Sequence, residues 1–383
     1  MIKEYGYSQV KRGVRGGWKG YYFTTAQNHI CHIKANKWLK FDNTNNTLYL
    51  SLDNGSSYPH ALDLTGITDI IQYSKICENG TIIFAGQNKI YYSDDNLATY
   101  HESTVKDING NTWTPVNNYD NFKSLFQHPI LTKNGVELIV FHNYSIYDPI
   151  QGYVWYSIDN GHTIKQAFKK GTSLGGFDFR HIDALNYDAV HSDSGNEWFW
   201  MATGDGGYIS LNKGIYNWDA DTWTWSQIVK DENRHSSGYT FHGDNFYYGD
   251  DTGSTYLGLW KGPFAHIDDI TGAYLTKVQA VLTKQSSFWD AGDGLILAHD
   301  SGLWTRFHFS LDHGETWEDK SLSGGPAIEH NGWIFCPTGP DNNFWYRYEI
   351  QENYPTPTYA EDSWTSTKGI VLMVQIYPNK GSE

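Results

Sequence analysis

Short apolar runs separated by turn residues dominate the chain. Runs such as TLYL, KIYY and YVWY are rich in aromatic or aliphatic side chains and are followed by serine, aspartate and asparagine or glycine. Such runs fit the pleated surface of a strand, and the residues between them favour tight turns. No long stretch shows helical periodicity. The longest apolar stretch, GIVLMVQIY at 369–377, has the length of a strand. The pattern predicts an all-β protein.

A short pattern of serine, aspartate and glycine recurs directly after these strand-like runs. A weaker copy begins at Ser210 and has Asn212 in the place of the aspartate. The copies are separated by roughly 50 residues or about twice that, which is room for about four strands and is the signature of a propeller blade. The four fair copies are SLDNGSSY (51–58), SDDNLATY (93–100), SIDNGHTI (157–164) and SLDHGETW (310–317).

The repeat predicts a single β-propeller domain over residues 1–383, built from four-stranded antiparallel blades. Radial repetition accounts for the length of the chain, because each sheet buries its faces on its neighbours. We expect seven blades, with six as the alternative and with the N-terminal strand as a candidate to complete the last one. The expected blades span residues 18–62, 66–105, 121–170, 180–230, 236–278, 280–322 and 325–377.

The pattern Ser-x-Asp-x-Gly-x-Thr-Trp resembles the Asp-box, or BNR repeat, of the sialidase-like superfamily. The resemblance implies a β-propeller that acts on or binds carbohydrate, in a family that includes hydrolases, lyases and binding proteins. Sialidases also carry an early Arg-Ile-Pro segment, which this chain lacks, since Arg15 is followed by two glycines. We therefore transfer no sialidase catalytic residue to this chain.

The aspartates of the repeat are expected to be structural. In a hairpin loop, an Asx-type turn lets the carboxylate accept backbone N–H bonds while glycine takes the left-handed conformation. A calcium loop would need several oxygen ligands at alternating positions and a terminal glutamate, which the copies lack. The residues expected in this structural role are Asp53, Asp95, Asp159 and Asp312.

The charge balance argues against duplex nucleic acid as a partner. The net charge is -15 and the isoelectric point is about 5.4, whereas phosphate binding needs clustered lysine and arginine. The three cysteines, Cys31, Cys77 and Cys336, lie far apart and support neither a disulfide framework nor a zinc site. No other metal and no cofactor is expected.

The first residues, MIKEYGYSQVKRGVRGGWKG, lack the apolar core of a secretory signal, and no run has the length of a membrane span. We therefore expect no membrane insertion. Three explanations fit this start: the protein works inside the cell, it leaves the cell by lysis as a phage particle protein does, or the sequence has been trimmed. We expect an extracellular or virion-associated location rather than the cytoplasm.

Candidate chemistry is expected at the mouth of the central channel, where loops enter the innermost strand of each blade. Arg15, Arg180 and Arg234 each stand just ahead of an apparent first strand. Arginine forks bind carboxylates bidentately, as is needed to hold a uronic or sialic acid. The alternative is that each arginine ties loops to neighbouring carboxylates. An Arg-His pair occurs twice, at 180–181 and at 234–235, which favours substrate binding by these arginines over a structural role.

Blades four and five supply the remaining candidates. A uronate lyase needs a cation to neutralise the carboxylate, a base for the C5 proton and an acid for the leaving oxygen. A glycosidase needs a pair of carboxyl groups instead. The alternative for each residue is a turn residue or a satisfied polar group between strands. The predicted catalytic residues are His181, Asp205, Tyr239 and His242, and the predicted substrate-binding residues are Arg15, Arg180, Arg234, His235, Asp250 and Asp251.

Clustered aromatic residues offer flat faces on which sugar rings could stack. They lie in NWDADTWTWSQ, with Trp218, Trp223 and Trp225, and in NNFWYRYEI, with Trp345 and Tyr346. We expect most of them to fill the gaps between sheets instead, because large aromatic side chains suit that position.

Two functions compete on these observations. The first is a carbohydrate-directed propeller that binds an acidic polysaccharide and cleaves it, as a uronate lyase or a glycosidase, at the channel mouth. The second is a non-catalytic phage tail or virion protein with a receptor-binding or structural role. Both have a glycan or cell-surface polysaccharide as partner, and the second adds other virion or tail proteins. A WD40-type protein is disfavoured, because the Trp-Asp dipeptides at 218–219 and 289–290 do not recur at blade spacing.

Overall fold

The structure is a computed structural model, and the residues that it describes lie mainly in strands and their tight turns. The part of the chain that it describes comprises residues 28–34, 36–42, 44–53, 57–67, 74–86, 89–113, 125–127, 131–143, 152–170, 179, 181–188, 190–204, 209–230, 236–250, 258–269, 272–279, 285–292, 295–300, 306–310, 314–321, 328–330, 333–338, 344–349, 361–366 and 369–374.

The strands of the first half of the chain form three sheets. Sheet 1 contains β1 (Asn28–Lys34), β2 (Lys37–Asp42), β3 (Thr47–Ser51) and β4 (His60–Asp63). Sheet 2 contains β5 (Ser74–Ile76), β6 (Ile82–Ala85), β7 (Ile90–Ser93) and β8 (His101–Glu102). Sheet 3 contains β9 (Thr104–Lys106), β10 (Leu125–Gln127), β11 (Leu131–Lys133), β12 (Val136–Asn143), β13 (Tyr153–Ser157) and β14 (Thr163–Lys169).

The strands of the second half form four further sheets, with one 3-10 turn, η1 (Phe264–His266), after β21. Sheet 4 contains β15 (His181–Asp188), β16 (Asn196–Gly204), β17 (Ser210–Asn217) and β18 (Thr222–Lys230). Sheet 5 contains β19 (Ser236–His242), β20 (Asn245–Asp250), β21 (Leu259–Pro263) and β22 (Thr276–Gln279). Sheet 6 contains β23 (Gln285–Gly292), β24 (Leu295–Asp300), β25 (Arg306–Ser310) and β26 (Glu318–Ser321). Sheet 7 contains β27 (Ile328–His330), β28 (Trp333–Thr338), β29 (Phe344–Glu349), β30 (Glu361–Ser366) and β31 (Gly369–Val374).

Five of these sheets are antiparallel meanders of four strands, as the sequence predicts. Sheets 3 and 7 depart from that expectation. In sheet 3, β10 and β11 both pair with β12, and β9 adds a parallel strand to the outer edge of β14. In sheet 7, β31 lies between β29 and β30 and runs parallel to β29. The added strand β9 covers the outer edge of β14, and β31 covers the outer edge of β29. Without them these edges would expose unpaired backbone groups.

The hydrophobic core lies between consecutive sheets. One cluster joins Leu39 of sheet 1 to Phe84 of sheet 2, and the next joins sheet 2 to Trp155 of sheet 3. Two more clusters join sheet 3 to sheet 4 and sheet 4 to sheet 5. Sheets 2, 3 and 4 each take part in two of these clusters and therefore use both faces for burial, which favours strands with nearly continuous apolar runs.

The first strands of several sheets contact one another. β1 contacts β5 and β27, and β19 contacts both β15 and β23. Sheets 1 and 7 are thereby neighbours although they stand at opposite ends of the described chain. The all-β prediction with antiparallel sheets is confirmed, and the described residues contain no α-helix. A closed ring of seven blades stays a prediction.

The weak fifth copy of the repeat is not a hairpin loop. In the four fair copies the serine ends the third strand of its sheet, as Ser157 ends β13. Ser210 instead begins β17, and the chain continues as strand to Asn217. The hairpin of sheet 4 is formed further on by residues 218–221.

No helix in the described part of the chain has the length and apolar character needed to cross a membrane.

Candidate functional site

The first strands of sheets 4 and 5 lie side by side and run in the same direction. The Tyr239 N–H donates to Asn186 Oδ1 at 3.0 Å, which joins the middle of β19 to β15. Two residues further along β19, the Phe241 ring lies 6.2 Å from the ring of His191, which follows the end of β15. We call the end at which β15 and β19 begin the start end, and the opposite end the hairpin end.

Two of the predicted site residues belong to the start end. His181 is the first residue of β15, is paired with Gly204, and is 2% exposed. Asp250 is the last residue of β20 and pairs with Ser236, the first residue of β19. The structure therefore brings the backbones of these two predicted residues to the same end of neighbouring sheets.

The structure does not bring the other two described candidates to this end. Tyr239 is 8% exposed, and its ring stacks on Tyr248 at 5.7 Å within the core between sheets 4 and 5. His242 is the last residue of β19 and lies at the hairpin end. A strand of 7 residues at about 3.3 Å each separates the two ends by roughly 20 Å. His181 and His242 therefore do not form one catalytic group.

Several predicted residues lie outside the described part of the chain. They are Arg15, Arg180, Asp205, Arg234, His235, Asp251 and Asp312, together with the side chain of Asp250.

A buried polar network near the start end escaped the sequence analysis. Thr203, which pairs with Ile182 near the beginning of β15, shares a hydrogen bond of 2.8 Å with the Ser210 hydroxyl. Asn212 Nδ2 donates to the same hydroxyl at 2.7 Å. All three polar side chains are less than 5% exposed. The network ties β16 to β17. Two of its residues, Ser210 and Asn212, match the spacing of the repeat, so the sequence pattern assigned them to a weaker copy of the loop.

A second arrangement that the sequence did not reveal lies at the hairpin end. Asp188, the last residue of β15, is fully buried. Its Oδ2 accepts from His191 Nδ1 at 2.8 Å and from Trp200 Nε1 at 2.9 Å, and its Oδ1 accepts from the backbone N–H groups of Val190 and His191 at 3.1 Å. Four donors thus satisfy a carboxylate that would otherwise be costly to bury.

This carboxylate fixes the orientation of the His191 ring. The ring stacks on Phe264 with 3.5 Å between centroids and an angle of 17° between planes. Its side chain is 20% exposed, and Nε2 makes no hydrogen bond within the described residues. The only signal in the sequence is Asp-x-x-His, a spacing too common to be informative.

The Asp-box loops follow the geometry that their composition favours. Asp53 Oδ1 accepts from the Ser51 hydroxyl at 2.6 Å and from Ser57 N at 2.9 Å. Asp95 and Asp159 accept in the same way from the residues two before and four after them. Hydrogen bonds from Ser51 and then Ser57 lower the pKa of Asp53 to about 2. Bonds from the Thr99 hydroxyl and backbone lower the pKa of Asp95 to about 2.

Two tryptophans of β18 in sheet 4 fill the gap to sheet 3, as expected for most aromatic residues. Trp223 and Trp225 stack at 5.6 Å with 10° between their planes. Trp225 Nε1 donates to the carbonyl of Ala167 on β14 at 2.9 Å. Both rings pack against the core cluster that sheets 3 and 4 share. They are therefore core residues rather than an open platform for a sugar.

A pair of buried tyrosines, Tyr156 and Tyr216, lies in the same gap. Tyr216 donates to Asp221 Oδ1 at 3.1 Å, and Lys165 of sheet 3 forms an ion pair with Asp221. Burial, and next the charge of Asp221, raise the pKa of Tyr216 far above its usual value. The same two causes raise the pKa of Tyr156. Both hydroxyls therefore act as hydrogen-bond donors at neutral pH rather than as bases.

Within the described residues, no three histidine, cysteine, aspartate or glutamate side chains converge as metal ligands.

Comparison with known proteins gives structural likeness without a family. No protein-family description matches the chain, and no curated protein matches it. Solved structures do resemble it at low identity. The α-L-arabinofuranosidase Arb93A from Fusarium graminearum is 14% identical, with 71% of this chain and 89% of that chain covered and a TM-score of 0.37. A protein of unknown function from Dyadobacter fermentans is 13% identical, with 80% and 97% covered and a TM-score of 0.35. Likeness at this level assigns no activity to this chain.

Proposed function

We propose that the chain is a seven-bladed β-propeller that binds an acidic polysaccharide at the start end of sheets 4 and 5 and cleaves it as a uronate lyase or a glycosidase. The observation that carries the proposal is the parallel course of β15 and β19. In the sequence, an Arg-His pair stands at or just before the beginning of each of these two strands, at 180–181 for β15 and at 234–235 for β19. A carboxylate-binding residue is thus repeated at two neighbouring first strands.

In this proposal the two arginines hold the substrate carboxylate. For a lyase, their charge stabilises the anion that forms when the C5 proton leaves. One of His181 and His235 accepts that proton, and the other donates a proton to the O4 oxygen, which leaves as the C4–O4 bond breaks and the C4–C5 double bond forms. For a glycosidase, Asp250 with Asp205 or Asp251 supplies the pair of carboxyl groups. Arg15 is a further candidate for the carboxylate. Tyr239 is assigned to packing, because its ring lies in the core.

The charge of the chain supports a site built on a few specific arginines. With a net charge of -15, the protein repels a polyanion at long range, so binding depends on close contacts rather than on a broad basic surface. We therefore expect the affinity for a uronate-containing glycan to rise when added salt screens this repulsion, up to the point at which salt weakens the arginine contacts.

A glycan panel tests the proposal. The full chain is incubated with uronate-containing, sialylated and neutral polysaccharides, and binding, new reducing ends and the absorbance of unsaturated uronate are followed. Unsaturated product indicates a lyase, and reducing ends without it indicate a glycosidase. Binding of an acidic glycan without any product favours the non-catalytic alternative, a receptor-binding protein. Absence of binding to every acidic glycan refutes the proposal.

A further inference from the structure

The fifth residue of the Asp-box loop has the same conformation in three loops. In each, the serine that begins the loop accepts a hydrogen bond on its hydroxyl from the backbone N–H of this residue, which has a positive φ. The serine thus holds the residue in the left-handed conformation. The three pairs are Leu97 with Ser93 (3.0 Å, φ 68°), Gly161 with Ser157 (2.9 Å, φ 83°) and Gly314 with Ser310 (2.7 Å, φ 82°).

Two of these residues press against the sheet that precedes their own. A Cβ atom added to Gly161, in the loop of sheet 3, would lie 2.5 Å from Ile83 Cδ1 on β6 of sheet 2. A Cβ atom added to Gly314, in the loop of sheet 6, would lie 2.3 Å from Tyr247 Cε1 on β20 of sheet 5. In both cases the second strand of the preceding sheet supplies a buried side chain that occupies the place of the missing Cβ.

The loop of sheet 2 carries a buried side chain at the position where the loops of sheets 3 and 6 carry glycine. Here the fifth residue is Leu97, which is 2% exposed and belongs to the core cluster that contains Leu39 and Phe41 of β2 in sheet 1. A leucine with positive φ is strained. Its side chain nevertheless lies in the core cluster that sheets 1 and 2 share, whereas the loops of sheets 3 and 6 receive a side chain from the preceding sheet.

Polar contacts join the same partners. His162, next to Gly161, lies 3.1 Å through Nε2 from the Asp94 carboxylate of sheet 2, and its ring is 4.1 Å from that of Tyr92. Glu315, next to Gly314, forms an ion pair with Lys261 of sheet 5. The loops of sheets 3 and 6 therefore each have both an apolar and a polar contact with the preceding sheet.

We infer that the Asp-box loop is a connector between sheets, in which serine positions the fifth residue against the second strand of the preceding sheet. The aspartate stabilises the remainder of the loop, and the fifth residue sets the spacing of the two sheets. The connector lies outside the proposed polysaccharide site and does not depend on any ligand.

Alanine at Gly161 tests the contact with Ile83. The control is Gly135→Ala, which has a similar positive φ of 80° but no atom within 4 Å of the added Cβ. Overpacking predicts that Gly161→Ala lowers the folding equilibrium constant by about tenfold or more beyond the control. Ile83→Ala makes room for the new methyl group, so the second alanine costs less in the double variant than in the wild type. Equal losses for Gly161→Ala and Gly135→Ala, or strict additivity with Ile83→Ala, would overturn the inference.

Replacing Leu97 by glycine distinguishes a connector from a loop that stabilises only its own hairpin, because the two roles predict opposite changes in the denaturation midpoint. If the loop stabilises only its own hairpin, Leu97→Gly relieves backbone strain and raises the denaturation midpoint. If the loop is a connector, loss of the buried side chain outweighs that relief and lowers the midpoint. Amide hydrogen exchange then increases in β2 of sheet 1 as well as in the loop. A raised midpoint with unchanged exchange in β2 would refute the connector.

Discussion

Replacing Asp188 by alanine is expected to remove a carboxylate that is both buried and bonded on both oxygens. Its side chain is fully buried and accepts from four donors. His191 is 20% exposed and can turn towards water when its partner is lost. Trp200 is 2% exposed, so its Nε1–H stays buried without an acceptor.

The loss in free energy of unfolding depends on which of the four donors can bond to water once the carboxylate is gone. An unsatisfied buried donor costs about 1–3 kcal/mol, and bonds to a charged acceptor contribute about 1.5–3 kcal/mol each. Because His191 and the backbone groups recover part of their bonding from water, we expect a total loss of about 3–5 kcal/mol in the free energy of unfolding. Asp188→Asn keeps one acceptor oxygen and is expected to lose less.

Asp193→Ala is the matched control. Asp193 lies in the same connection and accepts from the N–H groups of Gly195 and Asn196 at 2.7 and 2.8 Å, but these bonds are exposed. Its loss is expected to change the unfolding midpoint only slightly, because water replaces bonds that are already exposed. Guanidinium unfolding followed by tryptophan fluorescence measures both variants. Equal midpoints for Asp188→Ala and Asp193→Ala would refute the assignment of the buried network as a stabilising centre.

Three further predictions concern the loops and the gap between sheets 3 and 4. The pKa of Asp95 is lowered from 3.8 to about 2 in the folded chain, so its stabilisation is present above pH 4 and is lost as pH falls through 2. Asp95→Asn should therefore flatten the fall in urea midpoint between pH 4 and pH 2, and an unchanged slope would contradict this. Asp221→Asn should lower the pKa of Tyr216, since the Asp221 charge contributes to raising it; ultraviolet titration of tyrosinate, with Tyr216→Phe to assign the signal, measures the change. Gly214→Ala should cost about 1–3 kcal/mol, because the added Cβ would lie 2.6 Å from the Trp225 ring, and a loss equal to that of Gly195→Ala would count against the tight contact.

The sequence predicted the sheets better than it predicted the site. The repeat predicted a strand followed by a hairpin loop, and in the four fair copies the serine ends the third strand of its sheet. The copy at Ser210 failed for a reason that spacing cannot reveal. Its letters match the repeat, but Ser210 begins a strand instead of ending one, and the buried bond to Thr203 depends on that position.

The structure does not group His181 with His242, because the sequence motifs did not show at which end of its strand each histidine lies. Both belong to first strands, but one begins its strand and the other ends it. The contact between His191 and Phe264 could not be predicted either, since it joins sheets 4 and 5 through residues more than 70 positions apart. Contacts of this kind depend on how sheets pack, and a local motif carries no information about packing.

The most direct test of the proposed site is the affinity of the intact protein for the tightest-binding uronate-containing glycan of the panel, measured by calorimetry. The variants are Arg180→Ala and Arg234→Ala, with Arg306→Ala as control, since Arg306 begins the third strand of sheet 6 rather than a first strand. Loss of a charged hydrogen bond to the substrate carboxylate predicts a Kd about tenfold to a hundredfold higher for each of the first two variants, with the control unchanged. Unchanged affinity in both Arg180→Ala and Arg234→Ala would contradict the account.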